Sequence, residues 1–138
     1  MAEFHGAKLI LFVGEQIVVL RRDHTPGIPW PGFLDLPGGG REDAETAEAC
    51  VLREVREEVG LSLCEDELVW RDSHQGGVIF AAHVEPEAEA RIVFGGEGDG
   101  WRLMRPEAFA CHAEAIPHFA MMARRYGAVR EAASKRLG

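Results

Sequence analysis

The reading turns on one stretch: Leu36-Pro37-Gly38-Gly39-Gly40-Arg41-Glu42-Asp43-Ala44-Glu45-Thr46, running straight into Ala47-Glu48-Ala49-Cys50-Val51-Leu52-Arg53-Glu54-Val55-Arg56-Glu57-Glu58-Val59-Gly60-Leu61. In its second part Thr46 is placed to cap a helix N-terminus and Gly60 to adopt the left-handed conformation after the last turn, which predicts a helix over Ala47–Val59. Val51, Leu52, Val55 and Val59 recur at three- and four-residue spacing and should face a core. Glu54, Glu57 and Glu58 stand at i, i+3 and i+4, so their carboxylates leave one face, opposite Val55 and Val59. Like charges so spaced cost a few tenths of a kcal/mol per pair, and the flanking Arg53 and Arg56 do not outnumber them. Such a face is either simply solvated or neutralised by a cation. The adjoining Leu36-Pro37-Gly38-Gly39-Gly40 can expose backbone carbonyls and amides beside the acids, which favours the cation. Oxygen-only ligation suits a hard ion such as Mg²⁺. With no His or Cys spaced to join, zinc and copper fit poorly.

Upstream, Lys8–Val13 and Gln16–Leu20 are short apolar runs joined by Gly14-Glu15, a pair suited to a tight hairpin whose first central residue has positive φ. Both read as buried strands. Between Asp23 and Gly40, prolines and glycines argue against regular structure, yet Trp30, Phe33, Leu34 and Leu36 are too apolar for a loose linker. Downstream, strands are expected at Glu67–Arg71, Gly77–Val84, Ala90–Phe94 and Trp101–Met104. A helix from about Pro117 to Arg136 should bury a stripe of Phe119, Met122, Tyr126 and Val129. Strands, a central helix, more strands and a final helix make a mixed α/β domain.

At 138 residues the chain is expected to be one domain, 1–138, able to hold its own core. There is no apolar run of membrane-spanning length. The start, Met1-Ala2-Glu3-Phe4-His5, lacks the pattern of a secretory signal, so no membrane partner is expected. Cys50, Cys64 and Cys111 are odd in number and scattered, which points to free thiols and a cytoplasmic location. Fifteen basic residues against 23 acidic ones give a net charge of −8, which disfavours duplex nucleic acid. Seven acids fall between Arg41 and Glu58, whereas the chain from Trp101 onward is net basic. That asymmetry suggests a local cation site rather than uniform solvation.

From Gly39 to Leu61 the order is Gly39, five residues, Glu45, seven residues, Arg53-Glu54-Val55, one residue, Glu57-Glu58, one residue, Gly60-Leu61. This resembles the Nudix box, the signature of hydrolases acting on a nucleoside diphosphate linked to another group. The resemblance implies an α/β/α sandwich around a mixed β-sheet and a metal-dependent pyrophosphohydrolase. Carried onto this chain, it implies that Glu54, Glu57 and Glu58 hold Mg²⁺, with Mn²⁺ as the alternative, and that the Gly38 carbonyl is a further ligand. Glu54 would instead, or also, deprotonate the attacking water. Arg53 would orient Glu54 or Glu57 by a charge-assisted hydrogen bond, and Glu45 would act structurally or through a metal-bound water. A later-loop acid is expected as well; Glu97 is the candidate and Asp99 the reserve. Relatives often carry Trp where this chain has Leu34, so Trp30 or Phe33 is the candidate stacking surface for a base, with Gly39 beside the substrate. His24 and His74 are loop residues within the choice of substrate contacts; Cys50 reads as a buried thiol.

The expected substrate is a nucleoside triphosphate, cut to monophosphate and pyrophosphate, with a homodimer kept as the oligomeric expectation. A dinucleoside polyphosphate or nucleotide sugar is the alternative within the class. A catalytically silent nucleotide sensor is the alternative outside it.

Overall fold

The computed structural model describes residues 3–137; Met1 and Ala2 of the N-terminal stretch, and Gly138, lie outside the described residues. The strands β1 (Gly6–Val13), β2 (Gln16–Arg21), β3 (Leu34–Asp35), β4 (Gly38–Gly40), β5 (Trp70–His74), β6 (Gly77–Val84) and β7 (Gly100–Met104) form one seven-stranded mixed sheet. The helices are α1 (Ala47–Val59), α2 (Pro106–Ala110) and α3 (Pro117–Leu137). β1 is central. It runs parallel to β6 from Gly6↔Gly77 to Val13↔Val84, while β5 covers the far edge of β6 and β7 the outer edge of β2.

Apart from Lys8, β1 is apolar because both faces of the sheet are covered. Leu9, Leu11 and Val13 point to α1 and pack with Val51, Val55 and Val59. Ile10 and Phe12 point the other way, to Phe109 of α2 and to Ala120, Met122, Ala123 and Tyr126 of α3. The result is the expected α/β/α sandwich around a mixed sheet.

The β1–β2 hairpin turns at Gly14, φ 63°, and its strands pair at Val13↔Gln16 and Phe12↔Ile17. Beyond that they fork. β4 takes the free edge of β1 (Gly6↔Gly40 to Lys8↔Gly38) and β3 takes that of β2 (Leu20↔Asp35, Arg21↔Leu34). The Asp23–Gly40 stretch, expected to lack regular structure, thus contains two short strands. They exist because the fork leaves unpaired backbone edges, and local composition does not report that.

Other boundaries differ too. α1, with Thr46 Oγ1 accepting from the Ala49 amide and Gly60 at φ 73°, matches its expected span, though Leu52 is only partly buried. The strand expected at Glu67–Arg71 is Trp70–His74, since Glu65–Glu67 forms a 3₁₀ turn. Ala90–Phe94 is no strand. Pro86–Arg91 is 3₁₀, and the Val93 and Gly95 amides donate to the Val59 and Glu58 carbonyls, satisfying the end of α1 instead of a sheet edge. On α3 the stripe stops at Tyr126; Val129 is 43% exposed, although the neighbouring Arg130 still lies over the Phe12 ring of β1 at 4.6 Å.

Candidate active site

The fork in the sheet lays the glycine bend between β3 and α1 across the middle of the molecule. Five successive carbonyls of that bend each meet a donor. Lys8 Nζ reaches Leu36 O and Gly38 O at 3.2 Å each, and the Leu9 amide reaches Pro37 O at 2.8 Å. Cys50 Sγ lies 3.6 Å from Gly39 O, and an Arg53 terminal nitrogen donates to Gly40 O at 3.0 Å. Backbone in a cleft is fixed only when its polar groups are so accounted for.

At two of the glycines a side chain would collide, at Gly38 with fixed backbone and at Gly39 with the movable end of Glu54. A Cβ on Gly38, at φ 137°, would stand 2.1 Å from the Ala7 carbonyl oxygen, and one on Gly39 would stand 2.5 Å from a Glu54 carboxylate oxygen. Their absence lets the bend lie against β1 on one side and Glu54 on the other. Glu58, one turn on, accepts from the Gly38 amide at 2.7 Å. Burial pushes the Glu58 carboxyl up to about 7, and burial also raises that of Glu54 against the pull of Arg53. Two carboxylates taken partly out of water therefore meet at the bend.

Arg53 organises the remaining acids. It grips Glu45 with two hydrogen bonds (Nε–Oε2 2.7 Å, a terminal nitrogen to Oε1 3.0 Å), reaches Glu54 Oε2 at 3.2 Å and Glu57 Oε1 at 3.3 Å. The Arg53 bond holds the Glu45 carboxyl at about 2, and the same pairing raises the guanidinium's own affinity for its proton. Glu57 is 54% exposed and shares one Arg53 terminal nitrogen with Glu54. Among the described residues, no three His, Cys, Asp or Glu side chains are grouped closely enough to enclose a metal ion as they stand. The donor chemistry nonetheless fits a hard cation. Glu54 and Glu58 are desolvated carboxylates, and no cationic side chain among the described residues pairs with Glu58. Gly38 O offers a second lone pair beside the one Lys8 uses.

Two cavities flank the bend. One, of about 210 Å³, is walled by Lys8, Gly39, His74, His118, Phe119 and Met122 among others. Its His74 and His118 rings stack with centroids 5.6 Å apart, and Phe119 meets His118 edge-on at 4.4 Å. Burial lowers the pKa of His118, which favours its neutral ring. The second, of about 160 Å³, is polar and brings Glu58, Glu97 and Asp35 together with Arg21 and Arg22.

Of the residues singled out in the sequence, Glu54, Glu58, Arg53, Gly38 and Gly39 meet at the bend, and Glu97 shares the polar cavity with Glu58. Asp99 does not join them: it bonds His24 Nδ1 at 2.7 Å on the outer rim, which removes both from the acids. Trp30 and Phe33 meet edge-on at 5.1 Å, and Trp30 lies 6.3 Å from His118, beside the apolar cavity's wall rather than in it. Sequence reasoning passed over Lys8, Asp35, His118 and Phe119. For Lys8 a signal existed, a lone cation at the head of an otherwise apolar strand. For His118 and Phe119 none did, since they reach the cavity only by the docking of α3.

The sequence profile of the NUDIX domain matches residues 4–124. No curated protein matches the sequence. Among solved structures, a mutT/nudix family protein from Listeria innocua is 22% identical with a TM-score of 0.68, over 95% of this chain and 96% of that one. A C. elegans Ap4A hydrolase, solved as a binary complex, is 15% identical with a TM-score of 0.69, over 92% and 97%. A MutT/nudix family protein from Enterococcus faecalis is 20% identical with a TM-score of 0.58, over 75% of this chain; the chain spans 44% of that protein's length.

Proposed function

The chain belongs to the NUDIX family and is a Nudix hydrolase, and from that premise we propose that it splits the phosphoanhydride of a nucleoside triphosphate with Mg²⁺, releasing monophosphate and pyrophosphate. The observation that carries this is the meeting of two desolvated carboxylates, Glu54 against Gly39 and Glu58 on the Gly38 amide, at a bend between an apolar and a polar cavity. Glu54, Glu57, Glu58 and the Gly38 carbonyl would hold the cation, with Glu97 approaching from the polar side. When bound, the cation screens the diphosphate, lowers the pKa of the attacking water and aligns the two reactants.

The chain's own groups do the rest. Arg53 keeps Glu54 and Glu57 in place and is itself locked by Glu45. Glu54 takes the proton of the attacking water as the P–O bond to the leaving phosphate breaks. The apolar cavity takes the base, with His118 and Phe119 as stacking faces, since a planar ring gains about 1–3 kcal/mol from such a contact. Trp30 lies beside it, against His118, and would meet a base only at the cavity's edge. The scattered free thiols, Cys50 buried and Cys64 and Cys111 exposed, favour a reducing compartment.

A panel of nucleoside triphosphates, dinucleoside polyphosphates and nucleotide sugars, with products identified by mass spectrometry, tests this. We expect pyrophosphate and monophosphate with Mg²⁺ and nothing with chelator. Turnover confined to another conjugate would move the substrate class, and tight nucleotide binding without turnover would make the chain a sensor.

A further inference from the structure

β1 is the central strand and buried over most of its length, yet Lys8 stands on it, on the face shared with Ile10 and Phe12. An aliphatic residue there would avoid the cost of desolvating an ammonium. What the ammonium gains is specific. Its three N–H donors meet three acceptors: Asp35 Oδ2 at 3.1 Å, Leu36 O at 3.2 Å and Gly38 O at 3.2 Å. Asp35 is as unusual as its partner, a carboxylate only 6% exposed. Its Oδ2 also accepts from Arg22 at 3.1 Å, and its Oδ1 accepts from the Leu36 amide at 2.7 Å. The pair therefore clasps the bend from beneath at Leu36 by both its amide and carbonyl, and at Gly38 by its carbonyl. Gly38 is also the residue whose amide holds Glu58. The chain of charges Lys8–Asp35–Arg22 runs from the apolar cavity, which Lys8 lines, to the polar one, which Asp35 and Arg22 line.

We propose that the Lys8–Asp35 ion pair is a positioning device for the reaction: by gripping the Leu36 and Gly38 carbonyls, it fixes the peptide units on either side of the Pro37–Gly38 unit, so that the Gly38 amide stays on Glu58 while the Gly38 carbonyl, in the next unit, keeps one lone pair free for the cation. Asp35 balances the ammonium's charge, so that the clasp adds no net positive charge beside a cation site. Lys8 need not touch the reacting atoms; it acts through Gly38. This rests on the reading of Glu58 and Gly38 as ligands, but the orientation itself is a property of the metal-free protein.

Lys8→Met, which keeps the length and removes the donors, separates these roles. In the metal-free, nucleotide-free protein, amide hydrogen exchange at Gly38 should quicken at least tenfold while the amides of Val51 and Val55 stay protected. In the Mg²⁺-loaded enzyme, kcat should fall at least tenfold with KM within threefold, and Lys8→Arg should recover part of the loss. Unchanged exchange at Gly38 in a folded Lys8→Met protein overturns the proposal, as does a kcat near that of the parent. Should Lys8→Met fail to fold, Asp35→Asn, which removes the counter-charge without a cavity, is read the same way. The exchange measurement needs no substrate, so an error in the assigned reaction cannot be mistaken for an error here.

Discussion

Gly38 and Gly39 are neighbours with different jobs, and alanine at each should fail differently. At Gly38 a methyl group would meet fixed backbone at 2.1 Å, at a φ of 137° that L-residues avoid. We expect Gly38→Ala to cost about 3 kcal/mol or more, seen as a large drop in the denaturation midpoint. At Gly39 the methyl group would meet the movable end of Glu54. Gly39→Ala should therefore keep most of the stability and lose at least tenfold in kcat. Glu54→Gln and Glu58→Gln should each lose at least a hundredfold in kcat while remaining folded, in line with about 10²–10⁴ for positioned acid–base groups. Glu58 also gives a pH signature. Its folded-state carboxyl, near 7 against an ordinary 4.5, binds a proton more tightly than in the unfolded chain. Metal-free protein should thus be most stable below about pH 4.5 with respect to this group, losing that contribution as pH rises through 7, and Glu58→Gln should flatten the slope. Glu45, held near 2, works in the opposite sense but only below pH 4.5.

Among the elements, α1 was the most legible, because a cap, a 3.6-residue apolar period and a terminal glycine all agree on Ala47–Val59. Thr46→Ala should cost about 1 kcal/mol and, because the same helix carries Glu54 and Glu58, should lower metal affinity along with the denaturation midpoint. β6, too, matches its expected span, Gly77–Val84. β3 and β4 were not, because each is made by the fork of the hairpin rather than by its own residues. Ala90–Phe94 has strand-like composition, but its amides serve the last turn of α1. The acids of the site could be read for the same reason as α1, since helical spacing puts them on one face. Lys8 carried a signal, as a lone cation heading an apolar strand, but the cavity residues Asp35, His118 and Phe119 carried none, because they join it only by contacts across 27 or more positions of sequence and by the docking of α3.

At the scale of the whole molecule, a sheet covered on both faces is split near its centre, and the opening is filled by a glycine bend that faces a helix of acids. The base cavity and the polar cavity are two sides of that one opening. α3 is needed only where it covers the sheet. From residue 127 to 136 its positions are exposed apart from partly buried Ala133, so truncation after Arg130 should leave the melting temperature within about 2 °C and turnover unchanged. The most direct measurement is a Mn²⁺ titration of the protein without nucleotide, with the free ion counted by electron paramagnetic resonance. We expect the parent chain to bind at least one ion with Kd in the millimolar range or tighter, and the Glu54→Gln/Glu58→Gln double variant to bind at least tenfold more weakly. A folded parent chain that leaves Mn²⁺ free, or a double variant that binds it equally well, would contradict the assignment of these carboxylates and the glycine bend to a catalytic cation.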